Sequence, residues 1–388
     1  MAGKLARAII LAVGSELTTG STRDTNSGEL ATELTALGVE VLRVEALPDR
    51  LERVRDAFAR ALVEADLVVS TGGLGPTPDD LTREAIAAAT GLAPAVDPAL
   101  ERWLRSLFRR RGLAMPDSNV KQAWLVPGAS PLRNVQGTAP GWWLELDRGR
   151  VIVALPGPPR EMRPMWQAEV LRRLAERGVG GEMAAETLRL TGIGESALVG
   201  LIGEDVLRQS DPEVATYARP DAVDVRVSAR GPAAAERVAA AVAELLPRLE
   251  PYVFARGDQG WPAVIGGLLD GRTLATAEVG NGGQLISLLG ESGFLVRGEV
   301  HSTGAPAIEL AEQVRAVSGA DIGLALRATE GEVDIAVELA IASIDGVYSA
   351  ERRAFLTGAE GHRRAALAAC AELWRWLRQS AATRLMES

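Results

Sequence analysis

Buried strands that alternate with amphipathic helices are the feature that most constrains this chain. Residues 8–13 (AIILAV) form a continuous apolar run, and the segment after it places leucines at helical spacing as far as Gly38. The same alternation recurs with apolar runs at 39–44 and 67–70 and a helical pattern between them. Strands and helices that alternate in this way predict right-handed crossovers and a parallel sheet, so we expect an α/β fold here.

Two loops with glycine follow strands of this predicted sheet. GSELTTG occupies residues 14–20, and TGGLGPT occupies residues 71–77. Because ligands bind beyond the carboxyl ends of the strands in such sheets, we expect both loops to meet at one edge. A hairpin pattern at 142–155 and a helix that prolines open complete this part, which we expect to close near residue 175.

The length of the chain requires more than one core. At 388 residues it exceeds the size at which single domains usually stop growing, so we expect domains over residues 1–175, 184–256 and 260–388. The middle one has the order strand, helix, strand, strand, helix, strand, with its first helix at Glu195–Leu207, which is typical of ferredoxin-like α+β modules. It carries no catalytic cluster, which favours a spacer or a dimerisation module. The last domain is again α/β.

The charge and residue content exclude several classes of function. A net charge of −9 argues against a broad electrostatic grip on nucleic acid, which depends on clustered Lys and Arg, and no basic stripe stands out. Cys370 is the single cysteine and the histidines are His301 and His362, so neither a disulfide nor a zinc cluster is expected. Any metal must therefore bind oxygen ligands, which favours Mg²⁺, Mn²⁺ or K⁺.

The first residues, MAGKLARAIILAV, place basic residues before an apolar run, as a signal peptide does. The run is too short and lacks a convincing cleavage site, so a buried strand that enters the loop at Gly14 explains it better. No stretch reaches the roughly 18 apolar residues that a spanning helix needs. We therefore expect a cytoplasmic protein without a membrane segment.

The string TGGLGPTPDD at residues 71–80 is the best candidate for a site of chemistry. Its glycines let the backbone turn N–H groups inward to form a nest for phosphate, and Thr71 and Thr77 add hydroxyl donors. Asp79 and Asp80 stand at the start of a predicted helix, where one of them could simply cap that helix. Two adjacent carboxylates would repel a bound phosphate, however, and a divalent cation between them removes the conflict.

Three further strings place small or acidic residues near the same predicted edge. After the first strand, Glu16 is well placed to hold a metal or orient a water, whereas Asn26 could instead cap the following helix. QGTAPG at 136–141 and LPGPPREM at 155–162 have the small residues that a close approach to a ligand needs. The acid of the second string, Glu161, could equally be a first-turn residue that the helix dipole stabilises.

These strings together closely resemble those of the CinA family, the competence/damage-inducible protein A proteins. The resemblance runs to residue 255 and includes TGIGES at 191–196. It implies an amino-terminal domain with a molybdopterin-binding-like fold that acts as a metal-dependent ADP-ribose pyrophosphatase and releases AMP and ribose 5-phosphate. It also implies a divalent cation, Mg²⁺, Mn²⁺ or Co²⁺, together with K⁺, and a homodimer.

The resemblance assigns roles to residues of those strings. The predicted catalytic and metal-binding residues are Asp79, Asp80 and Glu16. The predicted substrate-binding residues are Gly72, Gly73, Gly75, Thr77, Asn26, Gly137, Thr138, Pro156 and Gly157. Hydrolysis of a diphosphate needs neutralised phosphate charge and an aligned water, and a nest, a metal and carboxylates supply both.

Many members of this family also carry a carboxy-terminal nicotinamide-nucleotide amidase domain with a string like AESCTGG. The matching string here is AEVGNGG at residues 277–283, so Val279 stands in the place of the nucleophilic serine. The activating lysine is missing as well, because no lysine follows Lys121. The resemblance therefore predicts a degenerate domain that does not deamidate nicotinamide mononucleotide.

Two other functions remain open at this stage. A molybdopterin-handling protein is one, because fold resemblance alone does not separate a pterin from ADP-ribose. The other is a non-enzymatic partner in competence or recombination that binds a recombinase, without direct contact to nucleic acid.

Overall fold

A computed structural model describes residues 4–290 and 292–387. The first three residues of the basic start considered above lie outside the described residues. The chain divides into two compact units, one of Met1–Met183 with Arg230–Ala233, and one of Ala184–Ala229 with Ala234–Ser388. The finer division into three domains stays a prediction. No helix of the described part combines the length and apolar content that crossing a membrane requires.

The first unit holds a six-stranded sheet with helices around it. Its strands are β1 (Arg7–Val13), β2 (Glu40–Leu47), β3 (Leu67–Thr71), β4 (Ala95–Val96), β5 (Trp124–Leu125), β6 (Ala129–Leu132), β7 (Gly141–Glu145) and β8 (Val151–Leu155). Its helices are α1 (Ser15–Thr18), α2 (Asn26–Ala36), α3 (Leu51–Glu64), α4 (Thr82–Thr90), α5 (Pro98–Arg110), α6 (Pro159–Met165) and α7 (Leu171–Arg177). Short 3₁₀ helices lie at Asp117–Ala123 and Asp147–Gly149, and a π-helical turn lies at Trp166–Val170.

The main sheet has the order β2-β1-β3-β8-β7-β6 and is mixed, not parallel as the sequence predicted. β1 pairs in parallel with β2 and β3, and β3 pairs in parallel with β8. β7 pairs antiparallel with both β8 and β6. The connections between these last three strands are short, and only antiparallel neighbours can be joined in that way.

Helices cover both faces of this sheet. The side chains of Ile9 and Val68 pack with α3 and α4 on one face. Those of Ile10 and Val69 pack with α2, α6 and α7 on the other. Because both faces are covered, β1 and β3 are continuous apolar runs instead of alternating ones.

The second unit begins with a four-stranded sheet. Its elements are β9 (Met183–Leu190), α8 (Glu195–Ile202), α9 (Glu204–Leu207), β10 (Glu213–Ala218), β11 (Val223–Arg230), α10 (Ala234–Leu249) and β12 (Val253–Arg256), and the strand order is β10-β11-β9-β12. The single helix expected over Glu195–Leu207 is wrong, because the chain turns at Gly203. That glycine has φ 95°, a non-helical conformation that separates α8 from α9.

The rest of the second unit is a five-stranded sheet with a long final helix. Its elements are α11 (Trp261–Leu269), β13 (Leu274–Val279), α12 (Gln284–Leu289), β14 (Leu295–His301), α13 (Ala307–Ser318), β15 (Ile322–Glu330), β16 (Asp334–Ser343), β17 (Gly346–Phe355) and α14 (Gly358–Glu387). The strand order is β14-β13-β15-β16-β17. β13 is parallel to both of its neighbours, and β15, β16 and β17 form an antiparallel meander. Trp374 and Cys370 of α14 are buried in the core.

Candidate functional site

A cleft of about 550 Å³ lies in the first unit, where β1, β2, β3 and β8 end. These strands are parallel, so the loops that follow them converge at one edge of the sheet, as the sequence predicted for the two glycine loops. The residues that line the cleft are Val13, Gly14, Glu16, Asp49, Gly72, Gly73, Leu74, Gly75, Pro76, Asp79, Asp80, Arg111, Gln122, Gln136, Gly137, Thr138, Ala139, Pro156, Gly157, Pro158, Arg160 and Glu161.

The turn after β3 requires glycine at two positions. Gly72 has φ 100° and Gly73 has φ 64°. A Cβ on Gly72 would lie 2.0 Å from the carbonyl oxygen of Val13, and a Cβ on Gly73 would lie 2.4 Å from Oγ1 of Thr82. The Thr82 hydroxyl donates to the carbonyl oxygen of Gly72 at 2.8 Å. The turn is therefore packed between the end of β1 and the start of α4, and no side chain fits there.

Asp80 closes this turn and does not cap the helix after it. Its Oδ2 accepts hydrogen bonds from the backbone N–H of Thr77 at 2.9 Å and from the Thr77 hydroxyl. Helix α4 has Leu81 at its N-cap and no side-chain capping bond. The alternative that Asp79 or Asp80 serves only as a helix cap is therefore wrong.

Lys121, which none of the motifs contains, holds the same turn from the 3₁₀ helix Asp117–Ala123. Its Nζ donates to the carbonyl oxygen of Asp80 at 2.6 Å and to that of Thr77 at 3.2 Å. It also forms an ion pair of 2.9 Å with Glu84, and 13% of its side chain is exposed. A charged donor shared by two carbonyls fixes the shape of the turn. The scarcity of lysine in the chain is the only sequence signal that points to this residue.

Two further carboxylates of the cleft are exposed to solvent. The Thr77 hydroxyl holds the pKa of Asp79 below its ordinary value, and the backbone N–H of Asp79 and the Lys121 ammonium act in the same direction. Asp79 is therefore ionised at neutral pH. Glu16 lies in α1 and folds back over the loop, since a Cβ on Gly14 would lie 2.5 Å from its Oε1. Exposed carboxylate oxygens of this kind suit hard cations.

Asn26 is buried behind the cleft and does not line it. Its Nδ2 donates to Oγ1 of Thr71 at 2.8 Å and to the carbonyl oxygen of Gly157 at 2.7 Å. Helix α2 starts at Asn26 but has no capping bond from Thr25; instead the backbone N–H of Ser27 donates to Asp24. The capping alternative for Asn26 is therefore wrong, and its contacts hold the loop after β8 against the end of β3.

Asn134, also absent from the predicted site, organises the loop of residues 136–139. Its Oδ1 accepts from the backbone N–H groups of Gln136 and Gly137 at 3.0 and 2.7 Å. Its Nδ2 donates to Oε2 of Glu161 at 2.7 Å. Glu161, at the start of α6, thus shares an amide with this loop and is more than a first-turn acid. This bond connects the loop of residues 136–139 to the string at 155–162, and together they form one side of the cleft.

Cations also line the cleft. Arg111 follows α5, and Arg160 lies in the first turn of α6; both side chains are exposed. Arginine binds phosphate through paired N–H donors, so these side chains add to the anion-binding character of the glycine turn. Sequence reasoning missed both of them. Arg111 directly follows the last turn of α5, which holds Arg109 and Arg110.

The side chains of the cleft offer oxygen ligands for a metal ion. Among the described residues no three His, Cys, Asp or Glu side chains lie close enough together to hold a metal ion by themselves. Mg²⁺ commonly takes one or two carboxylates and completes its shell with water and substrate phosphates. One or two carboxylates from Asp79, Asp80 and Glu16 therefore fit a cation that binds together with an anionic ligand. The metal site and its preference among Mg²⁺, Mn²⁺, Co²⁺ and K⁺ stay predictions.

The structure brings nearly all of the predicted site residues to one place. Asn26 and Thr77 are the exceptions, because neither lines the cleft. Each forms a hydrogen bond to a residue that does: Asn26 to Gly157, and Thr77 to Asp80. The residues that do line it are Glu16, Gly72, Gly73, Gly75, Asp79, Asp80, Gly137, Thr138, Pro156 and Gly157.

In the second unit, the AEVGNGG string joins β13 to α12. Val279 is the last residue of β13 and is buried. The carboxylate of Glu278 is fully buried and accepts from the backbone N–H groups of Leu285 and Ile286, both at 3.1 Å, and from Nδ2 of Asn281 at 3.0 Å. The string thus connects β13 to α12 through hydrogen bonds of Glu278, and the apolar side chain of Val279 lies at the centre of this connection.

Two family models match parts of this chain. Residues 9–176 match a family described as a probable molybdopterin binding domain, and residues 185–255 match the damage-inducible protein CinA KH domain. A solved protein CinA of unknown function from Thermoplasma acidophilum is 33% identical and covers 43% of this chain and 98% of its own, with a TM-score of 0.41.

Two curated relatives match over most of their length. A CinA-like protein of Deinococcus deserti is 44% identical over an alignment of 348 positions that covers 83% of this chain and 86% of that protein. A putative competence-damage inducible protein of Desulforamulus reducens is 36% identical over an alignment of 397 positions that covers 91% of this chain and 96% of that protein. Because the similarity covers most of this chain and most of each relative, the protein belongs to the CinA family.

Proposed function

We propose that the first unit hydrolyses the diphosphate of ADP-ribose to AMP and ribose 5-phosphate with the help of a divalent cation. The observation that carries the proposal is the convergence of a glycine turn, five carboxylates and two arginines on one cleft of about 550 Å³. Clefts of roughly 300–1,000 Å³ hold ligands of the size of a small nucleotide.

The phosphate end of the substrate belongs at the turn after β3. Backbone from Gly72 to Gly75 lines the cleft there, and Arg111 and Arg160 face the same space. Inward-turned amides and guanidinium groups stabilise the charge that develops on phosphate oxygens during attack. This part of the site binds and orients the diphosphate.

The reaction also needs an attacking water and a base. One or two of the carboxylates Asp79, Asp80 and Glu16 would hold the cation together with the substrate phosphates, and the cation would supply positive charge for the phosphate and acidity for a bound water. The water oxygen forms a bond to one phosphorus, the bond from that phosphorus to the bridging oxygen breaks, and the bridging oxygen leaves with the other phosphate. An exposed carboxylate, Asp79 or Glu16, accepts the proton of the water.

The test is a metal-by-substrate screen on the purified chain. We expect release of AMP from ADP-ribose with Mg²⁺, Mn²⁺ or Co²⁺, with K⁺ present and absent, and loss of release in excess chelator. Asp79→Asn should be inactive, whereas Asp56→Asn, at an exposed position of α3 outside the cleft, should match the wild type. Full turnover in excess chelator would contradict the proposed metal dependence. The absence of AMP under every condition would contradict the proposed hydrolysis of ADP-ribose.

A second function is favoured by the match of residues 9–176 to a probable molybdopterin binding domain. The same cleft would then bind a pterin phosphate without cleaving a diphosphate. Tight binding of a pterin monophosphate by a chain that releases no AMP from ADP-ribose would favour this alternative.

A further inference from the structure

Arg83, in the first turn of α4, is fully buried beneath the cleft. Its guanidinium lies 6.0 Å from the centre of the Trp142 ring. The charges of Glu84 and Asp80 stabilise the guanidinium, although Glu84 is also paired with Lys121. Burial of a cation is costly, because it removes the hydration of the charge. A buried arginine beside the cleft therefore suggests a functional role.

The hydrogen bonds of Arg83 join the two loops that form the cleft. Nη1 donates to the carbonyl oxygen of Leu74 at 2.7 Å, and Nη2 donates to that of Pro140 at 3.1 Å. Leu74 lies between the glycines of the turn after β3, and Pro140 ends the loop of residues 136–139. Nε is buried without a hydrogen-bond partner. The fork of one side chain thus sets the spacing between both loops.

The bond to Leu74 also sets the direction of an amide. In a planar trans peptide the C=O and the N–H point in opposite directions. Because the Leu74 carbonyl points toward Arg83, the N–H of Gly75 points away from it. Gly75 lines the cleft. Arg83 therefore turns a donor of the nest toward the space where a ligand would lie.

We propose that Arg83 is the positioning residue that selects a diphosphate: its fork aims the turn and fixes the loop spacing, and its buried charge offsets part of the negative charge of the carboxylates that line the cleft. This inference rests on the proposed function, because the diphosphate is the ligand proposed there, and it assigns Arg83 to the recognition of that diphosphate. A charge that lacks solvent screening acts at longer range than one on the surface. Burial lowers the pKa of Arg83 to about 10, so the group is still positive at neutral pH.

The test measures binding of inorganic pyrophosphate to the full chain by calorimetry, with and without Mg²⁺. Arg83→Met should weaken binding by about tenfold or more and reduce its dependence on salt. Arg83→Lys, which keeps the charge and loses the fork, should lie between Arg83→Met and the wild type. The matched control is Arg177→Met, because Arg177 is also largely buried but bonds Glu145 and Gly149 outside the cleft. It should bind pyrophosphate as the wild type does.

Circular dichroism and thermal melting decide whether each variant is folded. A folded Arg83→Met chain that binds pyrophosphate within about twofold of the wild type would overturn the proposal. If Arg83→Met does not fold, Arg83→Lys and Arg83→Gln are compared: weaker binding by the neutral variant supports the role of charge, and equal binding overturns it. A wild type that binds pyrophosphate but cleaves no ADP-ribose would refute the proposed function and leave this inference standing. A wild type that does not bind pyrophosphate would refute the inference.

Discussion

Asp80 accepts two hydrogen bonds from Thr77, one from its backbone N–H and one from its hydroxyl. The neighbouring Asp79 is exposed at the mouth of the same turn, and the Thr77 hydroxyl also lowers its pKa. Two adjacent carboxylates therefore have different surroundings: one is held in the turn, and the other faces solvent. Substitutions at the two positions should consequently have different effects.

Asp79→Ala should lower the kcat of metal-dependent ADP-ribose hydrolysis by about 100-fold or more, because it removes a metal or water contact. Its melting temperature should stay that of the wild type, since the side chain is exposed. Asp80→Ala should lower both activity and stability, the latter by about 1–2 kcal/mol, because the Thr77 N–H loses its acceptor. Thr77→Ala serves as the control that removes only the hydroxyl bond. A folded Asp79→Ala chain with full activity would contradict the assignment.

Lys121→Met should lower kcat/KM for ADP-ribose by about tenfold or more, because the carbonyl oxygens of Thr77 and Asp80 lose their common donor. Chemical denaturation of the first unit should show a loss of about 1–3 kcal/mol. Lys121→Arg keeps the charge and should recover part of both. An unchanged kcat/KM in Lys121→Met would mean that the turn holds its shape without the lysine.

The chain should not release ammonia from nicotinamide mononucleotide, and Val279→Ser should not restore that reaction. A serine nucleophile needs an activating base, and no lysine follows Lys121 in the sequence. The buried position of Val279 also means that a new hydroxyl would lie in an apolar setting. The measurement is an ammonia assay on highly purified wild type and variant. Release at enzymatic rates by either protein would disprove the prediction.

Cys370 should resist thiol reagents while the second unit is folded. Burial raises the pKa of its thiol well above the ordinary value, and the Glu278 carboxylate adds to the shift, so the reactive thiolate is scarce at pH 8. We expect no labelling by a disulfide reagent in buffer and one equivalent in denaturant. Ser287→Cys, at an exposed position of α12, should add one thiol that reacts at once. Rapid labelling of the native wild type would show that this core opens readily.

The sequence predicted the parts of the fold that local pattern determines. The apolar runs of β1 and β3 and the glycines after β3 follow from burial on both faces and from backbone geometry, so the cleft was placed at the right edge. Gly203 indicates a break inside the helix expected over Glu195–Leu207, but the helical spacing of the apolar residues around it favours one continuous helix. The mixed direction of the sheet was missed although the hairpin itself was recognised.

The supporting residues of the site could not be predicted for a different reason. Lys121 and Arg83 donate hydrogen bonds to backbone carbonyl oxygens 41 and 57 residues away, and Asn134 donates one to Glu161, 27 residues away. Such bonds depend on how loops meet in space, and no spacing in the sequence encodes them. Asn26 illustrates the same limit: it was predicted to contact substrate, but the structure places it behind the wall, bonded to Gly157.

Glu278 of the AEVGNGG string has a structural role in the second unit. Its carboxylate closes the start of α12 through Leu285 and Ile286, so it serves the backbone and not a reaction. A comparison of AEVGNGG with AESCTGG would count this acid and the two final glycines as agreement. That agreement shows only that the connection between β13 and α12 is preserved. Surveys that assign amidases by such strings should therefore score the serine and lysine positions alone.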